Sequence, residues 1–302
     1  MSGTAADEEA LGLERLVIGT SIGPVVVRAG RRDGPGTVLL HGAAGSWTTW
    51  IPLLRQAQRA GAPLPGVVAL DLPGWGESPD PAVPLTAETA ARLVAEVARA
   101  CGHERWTVTG HSLGGFVALQ LAASERGATD AVVLVSPTGP AVVDAVRRPV
   151  AGGLRLPWFA GMLVTMRALA ALPDEGRGLL RLLDRTGVLP RLAAPLLHDP
   201  PSEHRALTDA LAAEIRPRAF RAAARAAVAA DPTVWARIRC PVRAVRGRHD
   251  VFVGREDAAV LRGLLGDLDE QVLPDAGHYA TAERPDAVLA ALRDATGARP
   301  EG

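Results

Sequence analysis

A serine set between glycines, Gly110-His111-Ser112-Leu113-Gly114, directly follows the apolar run Trp106-Thr107-Val108-Thr109 and precedes Phe116-Val117-Ala118-Leu119-Gln120-Leu121. Placed between a strand and a helix, such a pentapeptide reads as a nucleophile elbow. The chain turns so sharply there that the corner residue takes a strained conformation, and small neighbours keep other side chains out of the turn. Ser112 would then stand above the sheet at a helix N-terminus, where unpaired N–H groups and the helix dipole favour negative charge. That environment suits acyl transfer through an oxyanion. Five residues of this pattern also arise by chance in a chain so rich in Gly and Ala, so the flanking strand and helix, with Gly115, are what favour the elbow.

A serine hydroxyl is a poor nucleophile until a base takes its proton. Of the 7 histidines, His278 in Asp275-Ala276-Gly277-His278-Tyr279 follows the last short strand and precedes the last helix, where a loop can return it to the elbow. The orienting acid is assigned to Asp250 in Arg246-Gly247-Arg248-His249-Asp250, just after a strand and between Ser112 and His278 in chain order. Asp257 and Glu256 are second choices, Asp275 lies close to His278 along the chain, and Ser136-Pro137-Thr138 offers no carboxylate. Oxyanion donors are expected in the N–H of Leu113 and, from the small-residue loop His41-Gly42-Ala43-Ala44-Gly45, the N–H of Ala43.

These residues need a sheet edge to meet on. Leu16-Val17-Ile18 and Pro24 to Arg28 read as a hairpin, followed by continuous apolar runs at Thr37 to Leu40, Val67 to Leu70, Trp106 to Thr109 and Ala131 to Val135. Helical stretches lie between them, Trp47 to Ala60 and Thr86 to Ala100 among them, which predicts a mostly parallel sheet covered on both faces. His41-Gly42, Asp71 to Gly74 and Ser112 all fall at the carboxyl ends of strands, where such sheets carry their sites. From Thr138 to about Trp235 strand signals vanish and Pro-punctuated helices take over: Leu154 to Leu172, Gly178 to Leu183 and Leu207 to Ala230. The division expected is a core of residues 1–137 and 236–302 with a helical cap at 138–235. Within the cap Leu156, Trp158, Phe159, Met162, Leu163 and Met166 either line a pocket or pack the cap onto the core. Trp47 and Trp50 either border that pocket or pack the first helix. After the cap come a strand at Val242 to Val245, a helix at Ala258 to Leu265, a strand at Gln271 to Leu273 and a helix at Glu283 to Ala295. The first dozen residues and the last six are expected to be mobile.

The chain has 302 residues and a formal charge of zero, 33 basic against 33 acidic, so nothing points to nucleic acid or an anionic surface as partner. A small apolar acyl molecule is the expected partner. Cys101 and Cys240 form no paired motif and no two histidines share ligand spacing on a helix face, so neither disulfide, metal nor other cofactor is expected. The glycine stretches Gly34-Pro35-Gly36 and Gly74-Trp75-Gly76 do not open helices as dinucleotide loops do. Residues Met1 to Glu14 are polar and acidic, unlike a secretory signal, and no apolar run reaches the roughly 20 residues of a membrane span, which places the protein in the cytoplasm without a membrane partner. Ala and Arg in excess over Lys suggest a GC-rich bacterial genome. Arginines 216, 218, 221, 225, 237, 239, 243, 246 and 248 are dense; most read as a solvated face, and one or two of those in the cap are candidates for gripping a substrate carboxylate, a role that substitution of Arg218 or Arg221 would test.

Taken together, His41-Gly42 to Gly45, Asp71-Leu72-Pro73-Gly74-Trp75-Gly76-Glu77-Ser78, Gly110 to Gly115, Gly247 to Asp250 and Gly277-His278 resemble the α/β-hydrolase fold superfamily, over nearly everything from Leu16 to Ala295. The branch it looks like is the capped one of esterases, lactonases, haloperoxidase-like enzymes and carbon–carbon bond hydrolases. The resemblance implies an α/β fold with a mostly parallel eight-stranded sheet and an inserted helical cap. It further implies Ser112, Asp250 and His278 as a triad, with Ala43 and Leu113 as oxyanion donors. A serine at the elbow argues against the dehalogenases and epoxide hydrolases of this type, which use a carboxylate there. The favoured reaction is hydrolysis of an apolar ester, thioester or lactone through an acyl-enzyme. Alternatives are a biosynthetic cyclase, acyltransferase or lyase on the same fold, a carbon–carbon bond hydrolase, and a receptor with a silent site.

Overall fold

A computed structural model describes residues 2–32, 34–199 and 205–297. Its centre is an eight-stranded sheet in the order β1-β2-β4-β3-β5-β6-β7-β8. The strands are β1 (Glu14–Thr20), β2 (Gly23–Ala29), β3 (Gly36–Leu40), β4 (Val67–Leu70), β5 (Trp106–His111), β6 (Thr129–Val135), β7 (Val242–Gly247) and β8 (Leu268–Leu273). β1 and β2 form an antiparallel hairpin whose second strand runs antiparallel to β4, and every later pairing is parallel. β3, β4 and β5 are buried along their whole length, as parallel strands covered on both faces must be.

The pleat sends alternate residues to opposite layers. Val38, Leu40, Val68, Leu70, Val108 and Leu134 join a core with α3 (Ala87–Ala100) and α4 (Leu113–Ser124), while Leu39, Ala69, Val135 and Val245 join one with α2 (Ile51–Arg59) and α14 (Pro285–Thr296). Each such Leu or Val, withdrawn completely from water, contributes roughly 1.5–3 kcal/mol. The N-terminal residues expected to be mobile instead form α1 (Ser2–Leu11). Two ion pairs hold it: Glu8 with the buried Arg28, and Asp7 with Arg55. The expectation for the extreme C-terminus falls outside the described residues beyond Gly297.

Between β6 and β7 the chain is helical: α5 (Pro140–Arg147), α6 (Pro149–Arg155), α7 (Pro157–Ala170), α8 (Arg177–Arg185), α9 (Val188–Ala193), α10 (Arg205–Ala213) and α11 (Pro217–Ala229). Proline opens α5, α6, α7 and α11, where its missing N–H costs nothing. The single helix expected over Leu154 to Leu172 is therefore broken at Leu156, and Pro157 starts a new one. Proline 285 divides the last helix in the same way, into α13 (Ala280–Glu283) and α14, after α12 (Arg255–Leu264). No helix among the described residues is long and apolar enough to cross a membrane.

Candidate active site

β5 delivers Ser112 to the carboxyl edge of the sheet and α4 leads away from it. Ser112 has φ 50° and ψ −115°, outside the comfortable range of a residue with a side chain. The turn is held open by main-chain bonds: Ser112 N–H donates to Val135 O at 3.0 Å, and its carbonyl accepts from Gly115 and Thr138 at 3.0 and 2.9 Å. A side chain on Gly114 would overlap the Leu40 carbonyl, so only glycine lets α4 pack this close to β3. Leu113 begins α4, and its N–H has no acceptor within the helix.

The loop after β3 approaches the same point. Ala43 and Ala44 line the cavity beside Ser112 and Leu113, and Ala44 has φ 57°. Behind the loop, His41 is wholly buried, with Nδ1 donating to Gly42 O at 2.7 Å and Nε2 accepting from Leu72 N–H at 2.9 Å. One nitrogen donates and the other accepts, which fixes a neutral tautomer. Burial holds the His41 pKa below its ordinary value, against the pull of Asp71. Asp71 secures the other end, accepting from Trp47 N–H at 2.8 Å and Glu77 N–H at 3.0 Å. This bond, with the Arg28 guanidinium 5.2 Å over its ring, seats Trp47 in the core, where it is 2 % exposed. It does not line the cavity, and its neighbour Trp50 is likewise core.

His278 sits in the loop after β8, and its Nδ1 lies 3.0 Å from each carboxylate oxygen of Asp250, whose side chain is completely buried. Asp250 follows β7 and also accepts from the N–H groups of Phe252 and Val253 at 2.8 and 3.1 Å. Burial alone would raise its pKa, but His278 and the Phe252 N–H outweigh that, so the carboxyl lies below its usual range. A proton on Nδ1, donated to this carboxylate, leaves the lone pair of Nε2 as a base. The rings of Phe252 and His278 pack in a T-shaped arrangement at 4.8 Å between centres.

The other acids have different work. Asp257 accepts from Ala141 and Gly254 N–H at 2.7 and 3.1 Å, pinning the start of α5 to that of α12, Glu256 is exposed, and Asp275 pairs with Arg284.

His111, between Gly110 and Ser112, donates from Nε2 to the carbonyl of His278 at 3.1 Å. Burial, reinforced by His278, drives its pKa down to about 3, so it stays neutral and serves as a strut between the two loops.

Ala43, Ser112, Leu113 and His278 thus meet at the wall of one cavity of about 510 Å³. The Ser112 hydroxyl makes no hydrogen bond among the described residues; such contacts are often long until substrate is bound. The helical insertion supplies most of the remaining wall, including Trp158, Phe159, Met162 and Met166, together with leucines of α8 and α9. Leu163 packs inside the insertion and does not line the cavity. Several lining residues escaped the sequence reading: Tyr279, Phe252, Val142 and Leu196. Tyr279 carried a usable signal, being the only tyrosine of the chain and adjacent to His278. The cavity arginine is Arg216, paired with Glu214 at 3.4 Å, whereas Arg218 and Arg221 lie off the cavity wall.

Residues 37–291 match the profile of the alpha/beta hydrolase family. The chain belongs to that family. An uncharacterised protein of Mycobacterium tuberculosis is 35% identical over 108 residues, which are 35% of this chain and 30% of that protein. The match therefore spans about a third of the length of such relatives. A longer match, 28% identical over 268 residues, covers 86% of this chain and 90% of the Shigella flexneri protein named "Putative carbamate hydrolase RutD". Among solved structures, a thermophilic esterase from Thermogutta terrifontis shares the fold with a TM-score of 0.68 and 22% identity, over 93% of this chain and 97% of that one. Of these, the Shigella flexneri relative and the Thermogutta terrifontis structure carry the names of hydrolases.

Proposed function

We propose that this hydrolase cleaves an apolar carboxylic ester, thioester or lactone through an acyl-enzyme on Ser112. One observation carries the reading: a strained serine at a helix N-terminus opens into the same apolar cavity as an imidazole whose Nδ1 is held at 3.0 Å by a buried carboxylate. In this scheme His278 Nε2 takes the Ser112 proton as Oγ attacks the acyl carbonyl carbon. The resulting oxyanion is met by the N–H groups of Ala43 and Leu113, each such donor lowering the barrier by about 2.7–4 kcal/mol. The imidazolium, stabilised by Asp250, returns its proton to the departing alkoxide or thiolate. Water then enters, is deprotonated by the same nitrogen, and releases the acid.

Residues 138–235 act as the cap, and their leucines, aromatic residues and methionines select an acyl group with little polarity. Similarity to proteins named for carbamate and ester hydrolysis agrees with attack at an acyl carbon. Because so few polar groups line the cavity, water has little to hold it there, and that favours as a second reading net acyl transfer or cyclisation on the same acyl-enzyme. Product mass separates the two, since hydrolysis adds one water. The first test is a panel of acyl esters, thioesters and lactones run beside labelling by a serine-directed phosphonate. Modification of Ser112 with loss of turnover is expected; a protein that turns over esters while its Ser112 stays unlabelled would refute the acyl-enzyme.

A further inference from the structure

Glu283 ends α13, five residues past His278, and the reaction above gives it no task. Its carboxylate is nevertheless fully engaged. One oxygen accepts the Gly277 N–H at 2.7 Å, and the other accepts the N–H groups of His198 and Asp199 at 2.5 and 2.9 Å. Among the described residues no side-chain cation pairs with it; the neighbouring Arg284 is taken by Asp275 and Asp286. Three main-chain donors on one carboxylate join two stretches of chain about 80 residues apart: the loop bearing His278 and the segment of the insertion that leaves α9.

The two stretches also touch directly. His278 N–H donates to the Leu196 carbonyl at 2.8 Å, while the His278 carbonyl accepts from His111. The main chain of the base is thus gripped on one side by the insertion and on the other by the residue before Ser112. Gly277 is pressed against the same segment, and a Cβ there would lie 2.6 Å from Leu196 O and 2.9 Å from the Leu197 carbonyl carbon. Next to this contact the ring of His198 stacks on His249 at 4.4 Å, and His249 precedes Asp250. Upstream, Leu189, Leu192 and Ala193 of α9 form part of the cavity wall, and Leu196 continues it.

We infer that Glu283 is a positioning residue: it sets His278 through the main chain and ties that setting to the α9 wall of the cavity. This rests on the acyl-enzyme reading. An acyl group long enough to pack on Leu189, Leu192 and Leu196 braces the segment that Glu283 clamps, so filling the far end of the cavity improves the placement of the base as well as binding. The expected kinetic mark is a chain-length preference expressed in kcat.

Glu283→Gln in the full-length protein tests this, because its amide turns an N–H₂ toward at least one of the three donors. With nitrophenyl esters of short and long acyl chain, the variant should lose about 10- to 100-fold in kcat on the long chain with KM nearly unchanged, the misplacement of a reacting group having costs of that order. Phosphonate labelling of Ser112 should slow in parallel, and the low-field proton resonance of the His278–Asp250 pair should shift or broaden. Glu283→Asp should recover part of the loss, and Arg284→Ala should stay within about twofold of the parent. If Glu283→Gln does not fold, Gly277→Ala presses the same contact from the other side and must give the same kcat loss. Unchanged kcat and labelling, or an effect on KM alone, would overturn the inference. Failure of the parent protein itself to label would strike the acyl-enzyme reading instead, and the His278 proton signal in Glu283→Gln would still decide whether Glu283 positions the imidazole.

Discussion

Ser112 combines a strained main chain with, in the proposed mechanism, the attacking oxygen, and mutation can separate the two. Ser112→Ala should lower turnover by at least about four orders of magnitude while the protein stays folded, since residues of such a unit fail together. Ser112→Gly should be as inactive, yet more stable than the parent by about 1 kcal/mol, because glycine relieves a positive φ that serine endures. Thermal unfolding of the two variants side by side is the check. Asp250→Asn should cost about four orders in kcat through the wrong imidazole tautomer, with little change in KM. The His278–Asp250 contact and the place of Ser112 on the same cavity wall as His278 were legible because each residue sits in a short local pattern after a strand. Leu196 and Glu283 were not, because their meaning lies in main-chain contacts across about 80 residues, which leave no mark on residue type.

The helices of the insertion set the length of the cavity. Ala224, on α11, is a small residue of that wall. Ala224→Phe should shorten the space and lower kcat/KM for long acyl chains by at least about tenfold while leaving short esters nearly untouched, one methylene in an apolar pocket being worth about 1–3 kcal/mol. Comparison of C2 with C10 esters reads this directly. At this scale the strands were the most legible elements, because burial on both faces turns β3, β4 and β5 into unbroken apolar runs. β8 was read short, from Gln271 to Leu273, since it starts at Leu268 through half-exposed polar residues at the sheet edge. The helix breaks at Pro157 and Pro285 were missed although proline marks them, because the apolar periodicity runs on across each junction. α1 was missed for a different reason: its partners, Arg28 and Arg55, lie on other elements.

Over the whole molecule, the mostly parallel character of the sheet followed from the alternation of strand and helix, whereas the strand order β1-β2-β4-β3-β5-β6-β7-β8 and the docking of the insertion on the core did not. Buried neutral histidines give the fold a pH dependence of definite sign. His111 titrates at about 3 in the native protein and near 6.5 once unfolded, so between those values the unfolded chain binds the extra proton and stability falls as pH drops. The slope from His111 is about 1.4 kcal/mol per pH unit, and His41, also held below its ordinary value, acts in the same direction. Urea unfolding from pH 7 to 4.5 should show the decline, and His111→Gln should flatten it. The clamp between Leu196 and the His278 loop has a consequence for chimeras. Transplanting another protein's segment into this scaffold has to retain the carbonyl at position 196 and the donors at 198 and 199, or the recipient gains a new cavity wall along with a loosened His278, the base of the proposed mechanism.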